Sequence, residues 1–159
     1  MNFEHLIEIN AAELIDVAPL SRAQLWRGLV VRAEQPLLTV VGLDDCKITE
    51  CGEDFVLREL RFGSLTIRDR VTFVPMDSVT YVTESSESLP AGQLTMLIEE
   101  PFPGSLFVRF IYADLTARGE NEDDRLYAHY LKQAYIDADI DTIVTIRRLA
   151  GEGLLDGRH

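Results

Sequence analysis

The chain carries near its C-terminal end the segment DDRLYAHYLKQAYIDADIDTIVTIRRLA, residues Asp123 to Ala150. Its apolar residues recur at helical spacing, so the segment predicts one long amphipathic helix. It follows a run of short alternating strands with almost no helix among them. In an arrangement of a long helix after a curved antiparallel sheet, the helix can cover a cavity on the concave face of the sheet. The first functional expectation is therefore a cavity between helix and sheet that holds a small molecule.

The region before this helix alternates with period two from Asp45 to Tyr112, and turn signals divide it into about six strands joined by hairpins. A further short strand is predicted over Asn2 to Ile9. Between them Ser21 and Gln24 form a capping box that begins a helix, and Pro36 ends it or opens a second short turn. The sequence thus predicts an α+β fold in a single domain over residues 1–159.

The hairpin at Gly63-Ser64 allows the sharpest local prediction. With these two residues as the loop, Arg58 opposes Asp69 on a face that is otherwise apolar. The opposed pairs on that face are Phe62 with Leu65, Leu60 with Ile67, Arg58 with Asp69 and Val56 with Val71. The other face is charged or hydroxylated, with Glu59 opposite Arg68, and must face solvent. Arg58 and Asp69 are therefore expected to point inward.

An inward ion pair has two interpretations, because removing two charges from water costs several kcal/mol for each ion. In the first, Arg58 and Asp69 form a structural pair satisfied by neighbouring backbone or by water. In the second, they line a partly wet cavity and hold the polar end of an otherwise apolar ligand. The residues leave both interpretations open.

The candidate ligand site consists of the side chains that the strand pattern and the helix stripes turn inward. On the last helix, core packing is the alternative to ligand contact for the tyrosines of a stripe that ends at Ala138. The predicted cavity-lining residues are Trp26, Arg58, Leu60, Ile67, Asp69, Val71, Met96, Val108, Phe110, Tyr112, Tyr127, Tyr130, Leu131 and Ala134.

Charge and hydropathy exclude several partner classes. The net charge of −12 should repel phosphate backbones and anionic membrane surfaces, so we expect neither nucleic acid nor membrane as a partner. Acidic residues in the first twenty positions oppose a secretory signal, and the longest uncharged run, Ser88 to Ile98, is too short to span a bilayer. We expect a cytoplasmic protein.

The sequence gives no sign of a cofactor or a metal. Cys46 and Cys51 would lie on opposite faces of an extended strand and are expected to be free thiols. The three histidines, His5, His129 and His159, lack metal-ligand spacing and are expected at the surface. No glycine-rich phosphate loop opens a helix, and no nucleophile elbow is present.

Several segments resemble the AtaL-like branch of the START/Bet v 1-like (SRPBCC) superfamily, and together they span nearly the whole chain. They are FEHLIEIN (3–10), LSRAQLWRGL (20–29), RELRFG (58–63), IRDRV (67–71), LTMLIEEP (94–101) and YLKQAY (130–135). The resemblance implies a helix-grip fold, in which a curved antiparallel sheet of about seven strands wraps a long C-terminal helix and two short helices close one end. It also implies a hydrophobic cavity. It carries no catalytic residue set, since the superfamily includes carriers, receptors, polyketide cyclases and oxygenase subunits.

Two functions from different classes follow. The first is a carrier or sensor that binds a small hydrophobic or aromatic metabolite and performs no chemistry. The second is a cofactor-free cyclase or dehydratase acting on a polyketide-like substrate, with Asp69 or a tyrosine as acid or base, although an aspartate paired with arginine is a weak base. A third alternative is a filled core, with action through the surface or as a homodimer.

Overall fold

The computed structural model describes residues 2–11, 17–86, 90–114 and 122–157. Its strands are β1 (Phe3–Glu8), β2 (Asp45–Cys51), β3 (Phe55–Phe62), β4 (Leu65–Val74), β5 (Ser78–Thr83), β6 (Gly92–Phe102) and β7 (Ser105–Asp114). Its helices are α1 (Arg22–Glu34), a short 3₁₀ helix (Pro36–Leu38) and α2 (Glu122–Gly151). The predicted α+β architecture is confirmed.

The strands form one antiparallel sheet in the order β1-β7-β6-β5-β4-β3-β2. Strands β2 to β7 follow one another as a meander, and β1 closes the far side by pairing with β7. The hairpin between β3 and β4 has the predicted register, with Arg58 opposite Asp69 and Phe62 opposite Leu65. Gly63 has a φ of 60°, a conformation that glycine adopts without steric cost, so the two-residue loop fixes this register.

Helix α1 begins as predicted, since the Ser21 side chain accepts from the backbone of Gln24 and the Gln24 side chain accepts from the backbone of Ser21. Its buried face includes Gly28, where α1 meets α2. A Cβ atom at Gly28 would lie 2.6 Å from Cγ2 of Ile146, so only glycine allows this approach without a shift. The contact packs α2 closely against the middle of α1.

Helix α2 occupies the predicted segment but turns a different face to the sheet. Over residues 126–151, its buried side chains are those of Asp139, Thr142, Ile143, Ile146 and Leu149. The predicted stripe of tyrosines and alanines lies to one side of this face, because the buried face contains polar residues that a hydrophobicity pattern assigns to solvent. None of the helices in the described ranges is long and apolar enough to cross a membrane.

Both cysteines lie on the edge strand β2, and both are free thiols, as predicted. Cys46 is half-buried next to the Arg58–Asp69 pair, whereas Cys51 is exposed. Burial raises the pKa of the Cys46 thiol, against the opposing effect of Arg58. Cys46 is therefore held as a thiol and is a poor nucleophile at neutral pH.

Candidate functional site

The centre of the inner sheet face is a row of side chains that runs across six strands. Backbone pairing joins its members in sequence, and the row consists of Val56, Val71, Tyr81, Leu94, Tyr112 and Phe3. Tyr81 and Tyr112 lie two strands apart, about 10 Å by the usual strand spacing, with half-buried Leu94 between them. The C-terminal end of α1 and the middle of α2 contribute polar groups to this row.

The Arg58–Asp69 pair is buried, and its inward direction is confirmed. Arg58 Nε donates to Asp69 Oδ1 at 2.9 Å, and Arg58 Nη2 donates to Asp69 Oδ2 at 2.6 Å. Arg58 Nη1 donates to the carbonyl oxygen of Ala33 at 2.9 Å, which ties β3 to the end of α1. Each of the three guanidinium nitrogens therefore donates to a protein acceptor, which favours the structural interpretation of the pair.

Tyr81 lies beside two guanidinium groups. The Arg58 and Arg32 guanidinium carbons are 5.1 and 5.2 Å from the centre of its ring. Arg32 Nε also donates to Thr142 Oγ1 at 3.2 Å. The Tyr81 hydroxyl is buried and has no hydrogen-bond partner among the described residues.

Asp139 on α2 is the centre of a second polar group, which faces the β1 edge of the row. Its side chain accepts a 2.5 Å hydrogen bond from the Tyr112 hydroxyl, and His5 Nδ1 lies 3.4 Å from its other oxygen. Burial raises the pKa of Asp139, while these two hydrogen bonds act in the opposite direction. Burial and the nearby Asp139 raise the pKa of Tyr112, so the phenol stays protonated and donates.

The raised pKa of Asp139 predicts a specific pH dependence of stability. The folded state binds this proton more tightly than the unfolded state, so its contribution is full at low pH and is lost as pH rises from about 4 through the folded-state pKa. Asp139→Asn cannot ionise and keeps an oxygen for Tyr112. We expect the variant to gain stability relative to wild type over that range, by about 1.4 kcal/mol for each unit of pKa shift.

Urea unfolding at a series of pH values measures this difference. Asp137→Asn is the matched control, because Asp137 is exposed on the same helix. The profile of the control should run parallel to that of the wild type. A parallel profile for Asp139→Asn as well would show that Asp139 is not held in its neutral form by burial.

Three aromatic rings form a stacked wall beside Asp139. Tyr112 stacks on Phe3 at 4.7 Å and on Tyr135 at 4.3 Å between ring centres. Phe3 and Tyr135 are half-buried, so the wall is partly open to the outside. Just before Tyr135, α2 presents exposed apolar residues, with Tyr127 53% and Tyr130 65% exposed.

Most of the predicted lining residues are buried or half-buried in the interior, and three are exposed. Buried there are Arg58, Leu60, Asp69, Val71, Met96, Val108, Phe110 and Tyr112, and half-buried are Trp26, Ile67 and Leu131. Trp26 packs edge-on against Phe73, with 6.5 Å between ring centres. Tyr127, Tyr130 and Ala134 are exposed on α2, so any contact of theirs with a ligand remains a prediction.

Four polar residues of this region were not predicted. His5 was expected at the surface, but it is half-buried and faces Asp139, because β1 pairs with β7 and turns its odd positions inward. Asp139 lies four residues after Tyr135 and four before Ile143, a spacing that marks a shared face. Tyr81 was missed because the strand register around Thr80 was ambiguous, and Arg32 because charged residues in a last helical turn usually face solvent.

A small cleft lies elsewhere, at the start of β4 and just after β5. Its volume is about 30 Å³, and its lining residues are Thr66, Ile67, Arg68, Glu84, Ser85 and Ser86. This is room for a water molecule and not for a metabolite. Within the described ranges, no group of three or more histidine, cysteine, aspartate or glutamate residues could hold a metal ion.

A curved antiparallel sheet of seven strands packed with a long C-terminal helix defines the helix-grip fold of the START/Bet v 1-like superfamily. Within that class, the chain belongs to the AtaL family, described as acetylaranotin biosynthesis cluster protein L, whose model matches residues 7–153. No curated protein matches the chain in sequence.

Solved structures with this fold include the di-domain ARO/CYC StfQ from the steffimycin biosynthetic pathway, at a TM-score of 0.70 and 12% identity. That match covers 95% of this chain and 51% of StfQ, so the chain spans about half its length. The Zhui aromatase/cyclase from Streptomyces sp. R1128 matches at 0.61 and 11% identity, over 95% and 93% of the two chains. Ara h 8.0201 matches at 0.57 and 11%, over 99% of both. At these identities the likeness shows a shared fold.

Proposed function

We propose that this protein binds a small hydrophobic or aromatic metabolite between the inner sheet face and α2, as a carrier or sensor. The observation that carries the proposal is the partly open wall of Phe3, Tyr112 and Tyr135 beside exposed apolar residues of α2. Contiguous exposed apolar surface is uncommon in a protein that has no partner for it. Proteins of the same fold include two named as aromatase/cyclases, which supports a small-molecule role.

The wall suits a flat apolar ligand for a physical reason. Aromatic rings stack in offset or edge-on geometry and contribute about 0.5–1.5 kcal/mol beyond the area that they bury. A ligand ring next to Phe3 or Tyr135 would extend the existing stack, and Tyr130 could cover it from α2. The partner is then a small molecule, and the net charge of −12 opposes binding to nucleic acid and anionic membranes. A cytoplasmic location is part of the same proposal.

The test uses N-phenyl-1-naphthylamine, an uncharged apolar dye whose fluorescence rises in apolar surroundings, together with native mass spectrometry of the gently purified protein. We expect saturable binding of one dye and a several-fold loss of affinity in Tyr130→Ala. Ile140→Ala is the matched control, since Ile140 is also exposed on α2 but outside the predicted stripe. A clean apo mass together with no saturable dye binding would contradict the proposal.

A second candidate is a cofactor-free enzyme of the cyclase or dehydratase kind that acts on a polyketide-like substrate in the same place. The observation that favours it is the group of His5, Asp139 and Tyr112, in which a buried carboxyl with a raised pKa contacts a phenol and an imidazole. Such a set can move a proton to or from a bound carbonyl compound. Deuterium incorporation into the methyl group of a bound aryl methyl ketone, lost in Asp139→Asn with binding retained, would distinguish this enzyme from a carrier.

A further inference from the structure

Within the described ranges, the Arg32 guanidinium forms no ion pair. Its Nε donates to Thr142 Oγ1, and the Thr142 hydroxyl in turn donates to the carbonyl of Ala138 at 2.9 Å. Among the described residues, no carboxylate lies within ion-pair distance of Arg32, and its two terminal nitrogens have no hydrogen-bond acceptor. Its charge therefore differs from that of Arg58, whose nitrogens are all committed to Asp69 and Ala33.

The Tyr81 hydroxyl is a second unsatisfied group at the same place. Tyr81 is only 5% exposed, and its hydroxyl finds no partner in the described part of the chain. Leaving a buried donor unpaired is unfavourable, and native proteins keep few such groups. Arg32 lies over the ring of this tyrosine, so the free cation and the free hydroxyl belong to one locus.

This locus lies at the inner end of the aromatic wall. Arg32 lies over the ring of Tyr81, and its charge acts electrostatically on Tyr112 and Asp139. Burial raises the pKa of Asp139, whereas the charge of Arg32 acts in the opposite direction. The side chain between the tyrosines is Leu94, an apolar and half-buried residue.

We propose that the terminal nitrogens of Arg32 and the hydroxyl of Tyr81 receive a carboxylate, so that the ligand of the inner face is a hydrophobic carboxylic acid. The inference rests on the proposed function and narrows its ligand to acids. A guanidinium binds a carboxylate through two parallel hydrogen bonds, and the phenol adds a third donor. The apolar remainder of the acid lies along Leu94 toward Phe3 and Tyr135.

The test compares acids with neutral analogues of the same shape. Isothermal titration calorimetry at pH 7 measures 2-naphthoic acid and dodecanoic acid against their methyl esters. For at least one pair, we expect the wild-type protein to bind the acid about tenfold or more tightly than the ester, as a charge-assisted bidentate contact implies. Arg32→Met should remove this preference and leave the affinity for the ester unchanged.

Tyr81→Phe keeps the proposal testable if Arg32→Met fails to fold. Removing a hydroxyl that has no partner should not lower stability, yet it should reduce the acid preference several-fold. Arg70→Met is the matched control, because Arg70 is exposed on the outer sheet face, and it should change nothing.

The outcomes separate this inference from the function on which it rests. Equal binding of acids and esters, or an acid preference that survives Arg32→Met, would contradict the proposed carboxylate site at Arg32 and Tyr81. Dye binding would still support the proposed binding of a hydrophobic metabolite. If neither acid binds to a protein that does bind N-phenyl-1-naphthylamine, only the proposed carboxylate site is contradicted. Failure of the acids, the esters and the dye together overturns both.

Discussion

Replacing Asp69 by alanine is expected to lower the free energy of unfolding by about 3–5 kcal/mol, because the change leaves a buried charge without its partner. Asp69 accepts two hydrogen bonds from Arg58, and both residues are almost fully buried. The remaining bond, from Arg58 to the carbonyl of Ala33, cannot neutralise the guanidinium. Urea unfolding at pH 7 measures the loss.

The same hairpin supplies the control for this prediction. Glu59 pairs with Arg68 at 3.3 Å on the opposite face, where solvent reaches both groups. Glu59→Ala should therefore cost less than about 1 kcal/mol. The double variant Arg58→Met/Asp69→Leu should recover most of the stability that Asp69→Ala loses, since apolar residues of similar volume often replace a buried pair without loss. Equal losses for Asp69→Ala and Glu59→Ala would contradict a buried pair.

Replacing Phe110 by alanine is expected to cost about 3–5 kcal/mol, because it removes a large side chain from the closed part of the core. Phe110 is fully buried on β7, where its backbone pairs with Met96 on one side and His5 on the other. The void would open beneath the polar group of Asp139. Chemical unfolding gives the stability loss, and dye titration shows whether the void admits a ligand.

Phe110→Leu is the control, since it keeps most of the volume and should cost less than about 1.5 kcal/mol. If Phe110→Ala lost no more stability than Phe110→Leu, the space around residue 110 would already be open in the wild-type protein. That result would move the ligand site from the outer aromatic wall to the centre of the sheet.

The sequence correctly predicted those elements whose geometry is determined by a few neighbouring residues. At Gly63-Ser64 a two-residue loop and strict alternation leave a single register, so the inward Arg58–Asp69 pair followed directly. At Ser21 the capping box places the start of α1. In both cases the deciding residues lie within a few positions of the feature that they determine.

The candidate site was less predictable because its residues are brought together by packing. Asp139 is polar and yet only 1% exposed. A hydropathy pattern places such a residue on the solvent side, so the predicted buried face of α2 contained the tyrosines and was rotated from the observed one. Arg32 and Tyr81 become neighbours only when α1 crosses β5. No spacing along the chain encodes that contact.

The pairing of β1 with β7 determines when folding of the sheet can be completed. Strands β2 to β7 meet through short loops, whereas Glu4 reaches Arg109 across 105 positions of chain. Closing a long loop costs entropy before any contact compensates it, so we expect the meander to form first and β1 to add late. On the ribosome, β1 is synthesised before β7 and can pair with it only after the strands of the meander have been made. His5 therefore reaches Asp139, 134 residues away, only in the last stage of folding.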